Sequence, residues 1–193
     1  MEERKAEKKL NRRDTYSKTY EMVYTAVFVV LITMCAWITI PFGIVPVTMQ
    51  TFAVFLTMGL LGGRRGTMAI FIYLLMGCIG LPVFSGFQAG VGVLLGQTGG
   101  YLIGFLLIGA CMWVFENLGK KNRYWQLAGM IVGQLLCYSF GTVWYMVMYM
   151  NSVEIVSLGT VLGVCVVPFI IPDIIKIGLA HLLTRRLLRV MNF

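Results

Sequence analysis

The sequence predicts an all-α integral membrane protein: a bundle of six transmembrane helices with both chain ends cytoplasmic, capped by an outer loop between the third and fourth helices. Three observations carry this reading. Of 193 residues, 59% are apolar and only 12% are charged, with a mean hydropathy of +0.82. Soluble domains are roughly 45–50% apolar and about 25% charged. The apolar residues fall into six runs separated by Pro, Gly and charge. Beyond the N-terminal segment, and apart from Lys176, basic residues are confined to alternate loops and the C-terminus. Disorder is excluded, because it needs low hydrophobicity and high charge density.

The first run covers residues 20–40, closed by Pro41, Gly43 and Pro46, and the second covers 47–61, closed by Gly62-Gly63-Arg64-Arg65-Gly66. The third, 67–81, stops at Pro82; the fourth, 99–115, stops at Glu116-Asn117-Leu118-Gly119-Lys120-Lys121; the fifth covers 124–150. Pro168 and Pro172 interrupt the last run, residues 156–183. Proline suits the first turn of a helix and is costly inside one, so the sixth helix is expected to begin near Pro168 and end near residues 185–189. Residues 153–167 then form a short helix or re-entrant segment. Irregular backbone at that depth needs protein cover or a cavity.

Residues 1–19 are expected as a charged cytoplasmic tail and 20–193 as the membrane domain. The first 21 residues are too charged for a signal-peptide n-region and no A-x-A-like site follows, so the first run is read as a retained span. Gly-x-x-x-Gly pairs at 59/63, 62/66, 96/100, 100/104, 129/133 and 159/163 offer faces for close helix approach.

Orientation follows from charge. Arg64-Arg65, Lys120-Lys121-Arg123 and Arg185-Arg186-Arg189 lie in the loops after the second and fourth helices and at the C-terminus, whereas loops 41–46, 82–98 and 151–157 hold no Lys or Arg. The positive-inside rule places both ends in the cytoplasm of a multi-pass cell-membrane protein. The net charge of +8 is therefore a matter of topology. A basic stripe with interleaved aromatics, as nucleic acid would require, is missing.

Catalytic chemistry finds little support. The sequence has no G-x-x-x-x-G-K-[ST] motif, so ATP hydrolysis by that route is excluded. Gly90-Val91-Gly92 fails the dinucleotide pattern at Leu95, and His181 has no Ser, Cys or second His at useful spacing. Cys35, Cys78, Cys111, Cys137 and Cys165 all sit inside apolar runs without CxxC or paired His, so disulfides and metal ligation are not expected. They read as small buried hydrophobes.

Within the apolar segments, Pro172-Asp173-Ile174-Ile175-Lys176 is the exception. An acid or base inside a membrane costs roughly 2.5–3.5 kcal/mol, which makes it a functional candidate by default. At i and i+3 the two side chains share a helix face and can pair. Asp173 lies twelve residues before Arg185, roughly 18 Å above the cytoplasmic charge belt and in the outer half of the bilayer. The pair is either a ligand-facing group or an ion pair that fixes the helix. The outer loop, residues 82–101, is long, uncharged, glycine-rich and aromatic. It is expected either to fold over the bundle as a lid or to be a poorly ordered apolar loop.

Several motifs occur together and in order: Pro46-Val47-Thr48-Met49-Gln50-Thr51, Leu61-Gly62-Gly63-Arg64-Arg65-Gly66, Gly80-Leu81-Pro82-Val83-Phe84, Gly96-Gln97-Thr98-Gly99-Gly100-Tyr101-Leu102-Ile103-Gly104-Phe105 and Pro172-Asp173-Ile174-Ile175-Lys176. From about residue 20 to the C-terminus the chain resembles the BioY family, the biotin-capturing S components of energy-coupling factor (ECF) vitamin importers. The resemblance implies a non-enzymatic capture and translocation subunit without a cofactor of its own. Its partners would be biotin, membrane lipid, a transmembrane coupling subunit and ATPase subunits that alone hydrolyse ATP. It assigns ligand contact to Asp173 and Lys176.

Asp173 suits a ureido N–H, and Lys176 a carbonyl or carboxylate oxygen. Gln97, Thr98, Tyr101, Phe84, Phe87 and Gln88 are candidates for the remaining polar and aromatic contacts. Two positions depart from the family's pattern: Gln97 stands where many relatives carry Pro, and Ala26 is followed by Val30 where the wider group presents an Ala-x-x-x-Ala docking face. Thr33 and Ala36 offer an alternative small-residue face. Other readings are an S component for a different vitamin, or a stand-alone secondary transporter using Asp173 as a proton or sodium site.

Overall fold

The computed structural model describes residues 2–40, 46–119, 122–150 and 158–190, and within these the side chains from residue 19 onward other than those of residues 123, 149, 150, 158, 160 and 164. The expected loops 41–46 and 151–157 and the Lys120-Lys121 pair fall wholly or largely outside these residues. Helix α1 (Glu2–Trp37) runs without a break through the expected boundary at residue 20. It ends earlier than its apolar run, because Ile40 precedes Pro41 and a residue before proline is pushed toward extended backbone. Thr39–Ile40 (β1) instead pairs antiparallel with Val47–Thr48 (β2), with Thr39 opposite Thr48 and Ile40 opposite Val47. This small hairpin, absent from the sequence reading, delivers the chain to the next helix, where the Met49 N–H donates to the Ile38 carbonyl at 3.0 Å.

Helix α2 (Gln50–Cys78) is two arms joined at Gly62, which has φ +78° and ψ 169°. The Gln50 amide reaches the Tyr73 hydroxyl at 2.8 Å, although a straight helix would separate residues that far apart in sequence by roughly 35 Å. A reversal follows, with Gly66 packed on Met58. Glycine is required at the turn for its left-handed backbone and because a Cβ there would press on the Glu116 carboxylate. Glu116 in turn accepts the Gly63 N–H at 2.6 Å, a charge-assisted cap for the second arm.

The chain continues through a 3₁₀ turn at Ser85–Phe87, one helical turn α3 (Val91–Leu94), α4 (Gly99–Gly119), α5 (Arg123–Met150), the short α6 (Leu158–Cys165) and α7 (Val167–Val190). Pro168 occupies the first turn of α7, as expected, and Pro172 lies one turn further in. Thr19–Trp37, Gly99–Gly119, Tyr124–Met148 and Val167–Val190 are each long and apolar enough to cross a bilayer. The chain is thus mostly helical.

Helices α4 and α5 pack through glycines: Gly100 against Trp144, Gly104 against Cys137, Gly129 against Met112 and Phe115, and Gly133 against Ile108. The 100/104 and 129/133 pairs are therefore contact faces. Pairs 59/63 and 62/66 straddle the reversal, Gly96 precedes α4, and a Cβ on Gly163 would meet nothing. Thr33 and Ala36 are buried toward the bundle, so neither presents the alternative docking face, because the helix rotation that buries Val29 and Ile32 takes them inward too.

Contacts order the two ends of the bundle. At one end, Arg65 pairs with Glu21, Glu116 caps Gly63, and Gly59 lies against Thr184 while its carbonyl accepts from Gln126. At the other lie the β-hairpin, residues 79–98 and the start of α7. Arg64, Arg65, Arg185, Arg186 and Arg189 sit at or beyond the first end.

Candidate functional site

At the end away from the clustered arginines, a cavity of about 360 Å³ opens among the β-hairpin, α2, residues 84–98, α4, α5, α6 and α7. Its polar floor is built on Asp173, which α7 presents one turn from Lys176. Only 3% and 5% of these residues are exposed, and Lys176 Nζ lies 2.8 Å from Asp173 Oδ1. Helix α2 adds Thr51, whose Oγ1 donates to Oδ1 at 3.1 Å and accepts from Lys176 Nζ at 3.0 Å. Helix α5 adds Gln134 and Tyr138, one turn apart and so on one face. Gln134 Nε2 donates to Oδ2 at 2.8 Å, and the Tyr138 hydroxyl donates to the same oxygen.

Among the described residues, then, both carboxylate oxygens are each met by two donors, which fills the roughly four acceptor sites a carboxylate has. That satisfaction makes a membrane-buried charge tolerable: an ion pair in such surroundings holds only if its remaining lone pairs and protons also find partners. Gln134 Oε1 is the exception, buried and without a hydrogen-bond partner among the described residues.

The walls are mainly apolar and aromatic. Phe84, Val93, Leu102, Phe105 and Phe169 line them, with Thr39, Thr48, Gln50, Ser85, Gln88, Thr98 and Tyr101 contributing polar atoms. Cys137 and Cys165 face the cavity as buried free thiols. A predominantly apolar pocket of roughly 300–1,000 Å³ with a few fixed polar groups is the usual form of a small-molecule site. No cluster of His, Cys, Asp and Glu suited to a metal ion occurs among the described residues.

The segment after α2 folds over this cavity, as a lid would. Phe84, 1% exposed, packs edge-on against Tyr73 and fills the space where Gly77 has no side chain. Gln50 donates to Tyr73, which donates to the Val83 carbonyl at 3.1 Å, tying the segment to the floor of the bundle. At the rim, Ser85 and Thr39 share a hydrogen bond at 3.1 Å, and Trp37 Nε1 donates to the Pro82 carbonyl at 3.0 Å.

Of the residues singled out from sequence, Asp173, Lys176, Thr98, Tyr101, Phe84 and Gln88 line the cavity. Phe87 and Gln97 do not, which corrects their expected placement. Phe87, 63% exposed and at φ +59°, stacks on Trp37 at 4.8 Å on the outside of the segment. Gln97 is exposed in the turn before α4. Both lie in irregular backbone, where no periodicity tells which side chains face inward. Sequence reasoning missed Thr51, Gln134 and Tyr138. The available signals were a polar pair at i and i+4 in the fifth apolar run, and Gln50-Thr51 at the start of the second.

A multi-pass helical membrane protein with a ligand-sized cavity and, on its floor, a buried ion pair whose carboxylate is fully bonded belongs to the class that captures solutes within the bilayer. The sequence model of the BioY family matches residues 6–193, and the chain belongs to that family. It is 39% identical to the biotin transporter BioY of Thermotoga maritima, over 86% of this chain and 95% of that one. With the biotin transporter BioY2 of Lactococcus lactis subsp. cremoris it shares 37% identity over 91% and 94%. The crystal structure of the S-component for biotin from an ECF-type ABC transporter superposes with a TM-score of 0.80 at 27% identity, covering 90% of this chain and 93% of that one.

Proposed function

We propose that this chain is the biotin-capturing S component of an ECF importer, a transport subunit and not an enzyme. The observation that carries the reading is the Asp173–Lys176 pair on the floor of a membrane-embedded cavity whose walls are apolar. Biotin offers that site two ureido N–H donors and a carbonyl, with apolar thiophane and valeryl parts for the walls. Burial of the apolar parts supplies affinity, and the floor supplies selectivity.

The bundle is inserted with both ends cytoplasmic and six membrane passes, the two arms of α2 counting separately. The basic residues at one end support this orientation by the positive-inside rule, and it places the cavity toward the outside. Biotin enters there, between the β-hairpin and the segment containing Phe84. A transmembrane coupling subunit and ATPase subunits then supply the work, and the loaded bundle releases biotin inward. Residues 20–193 are the capture domain; the charged residues before them lie on the cytoplasmic side.

Calorimetric titration of the purified chain with biotin and a panel of other vitamins tests the ligand. Tight, selective binding of biotin is expected, weakened at least about tenfold by Asp173→Asn and by Lys176→Ala, since each leaves a buried polar group unpaired. A well-folded chain that ignores biotin and takes another vitamin, or none, would overturn the assignment.

A further inference from the structure

The donors and acceptors on the cavity floor do not all face one another, and those left over match part of a cyclic urea. A cyclic urea needs two acceptors, one for each N–H, and at least one donor for its carbonyl. Asp173 has nothing left to offer: Thr51 and Lys176 occupy Oδ1, and Gln134 and Tyr138 occupy Oδ2. The unused capacity lies beside it. Lys176 spends two of its three N–H groups on Asp173 and Thr51. Gln134 Oε1 accepts from no donor among the described residues, though Gln134 is only 5% exposed and lies on the cavity wall.

The orientation of that amide is not arbitrary. Asp173 can only accept, so the Gln134 atom facing it is the NH₂, and the carbonyl oxygen is committed to the other side. Among the carboxylate and amide oxygens of the floor, the stronger acceptors, only Gln134 Oε1 is spare, so a urea that sets both N–H groups on such oxygens is one short; the Thr51 and Tyr138 hydroxyls keep lone pairs but are the weaker acceptors. Of the two groups on Oδ2, Tyr138 is the one less enclosed: it is half-buried and on the cavity wall, whereas Gln134 is fully buried.

We propose that Gln134 and Tyr138 are specificity-determining residues: Gln134 Oε1 accepts one N–H of a cyclic-urea ligand, while the Tyr138 hydroxyl holds Asp173 Oδ2 as a placeholder that the second N–H displaces. This rests on the biotin reading above and deepens it. Selectivity then follows from the exchange. A ligand without a second N–H cannot replace the hydroxyl it displaces, and one with an acceptor opposite Gln134 meets two facing lone pairs.

The test is titration of the full chain, as wild type and as Gln134→Leu, Gln134→Met and Tyr138→Phe, with biotin and with the two analogues in which one ureido N–H is replaced by oxygen. Both Gln134 variants are expected to bind biotin about tenfold more weakly, and to show no further loss for the analogue whose oxygen faces position 134. Tyr138→Phe, relieved of the competing donor, is expected to bind biotin about threefold more tightly. Equal losses for all three ligands in both Gln134 variants, or a tenfold loss in Tyr138→Phe, would overturn the proposal while leaving biotin capture standing. A wild-type chain that does not bind biotin would overturn both.

Discussion

Lys176 and Asp173 hold one another inside a medium that tolerates neither alone. Lys176→Met leaves a buried carboxylate with only neutral donors, and a loss of about 3 kcal/mol in stability is expected, measured by denaturant unfolding in detergent. Replacing both, as Asp173→Leu with Lys176→Met, is expected to recover most of that stability because no charge remains buried. Binding of biotin should stay lost, which separates the structural role of the pair from its ligand role. These two residues were legible in the sequence because charge inside an apolar run stands out against every neighbour. Thr51, Gln134 and Tyr138 were not, because neutral polar side chains are common in membrane helices and point inward or outward according to helix rotation. Phe87 and Gln97 misled for the opposite reason: aromatic and amide groups in a glycine-rich loop look like ligand contacts, yet a loop has no period to orient them.

At the scale of elements, two glycines do most to shape the site. Gly62 makes the reversal in α2, and Gly62→Ala is expected to cost about 1–3 kcal/mol from the glycine-only backbone conformation alone, with more from pressure on Glu116. Gly77 admits the Phe84 ring, and a Cβ there would occupy the ring's position. Gly77→Ala is therefore expected to unseat the covering segment, weakening biotin binding severalfold while helix content by circular dichroism stays unchanged. The first, fourth, fifth and last helices were readable from apolar length, and the break between α6 and α7 from Pro168 and Pro172. The β-hairpin was not, since its paired residues are two and two, too few to show alternation against an apolar background. The Gly62-Gly63-Arg64-Arg65-Gly66 cluster marked where a helix stops, and the same cluster made Gly-x-x-x-Gly faces that the reversal then split.

Across the whole molecule, the clustered arginines and the cavity lie at opposite ends. In a cysteine-free background, a cysteine at Gln88 is expected to react with a membrane-impermeant thiol reagent added to intact cells. One at Arg64 should react only after permeabilisation. The reverse pattern would invert the orientation and place the cavity toward the cytoplasm.

The folded-back α2 has one more effect, on the lipid. Residues 50–61 and 63–78 make arms of about 18 and 24 Å, against a hydrocarbon core of about 30 Å. The first arm is largely enclosed by protein, but the second turns Met68, Phe71 and Leu75 outward. On that flank the apolar girdle is shorter than the span of the acyl chains, a mismatch that local thinning of the bilayer or the reach of Arg64 and Arg65 toward the headgroups takes up.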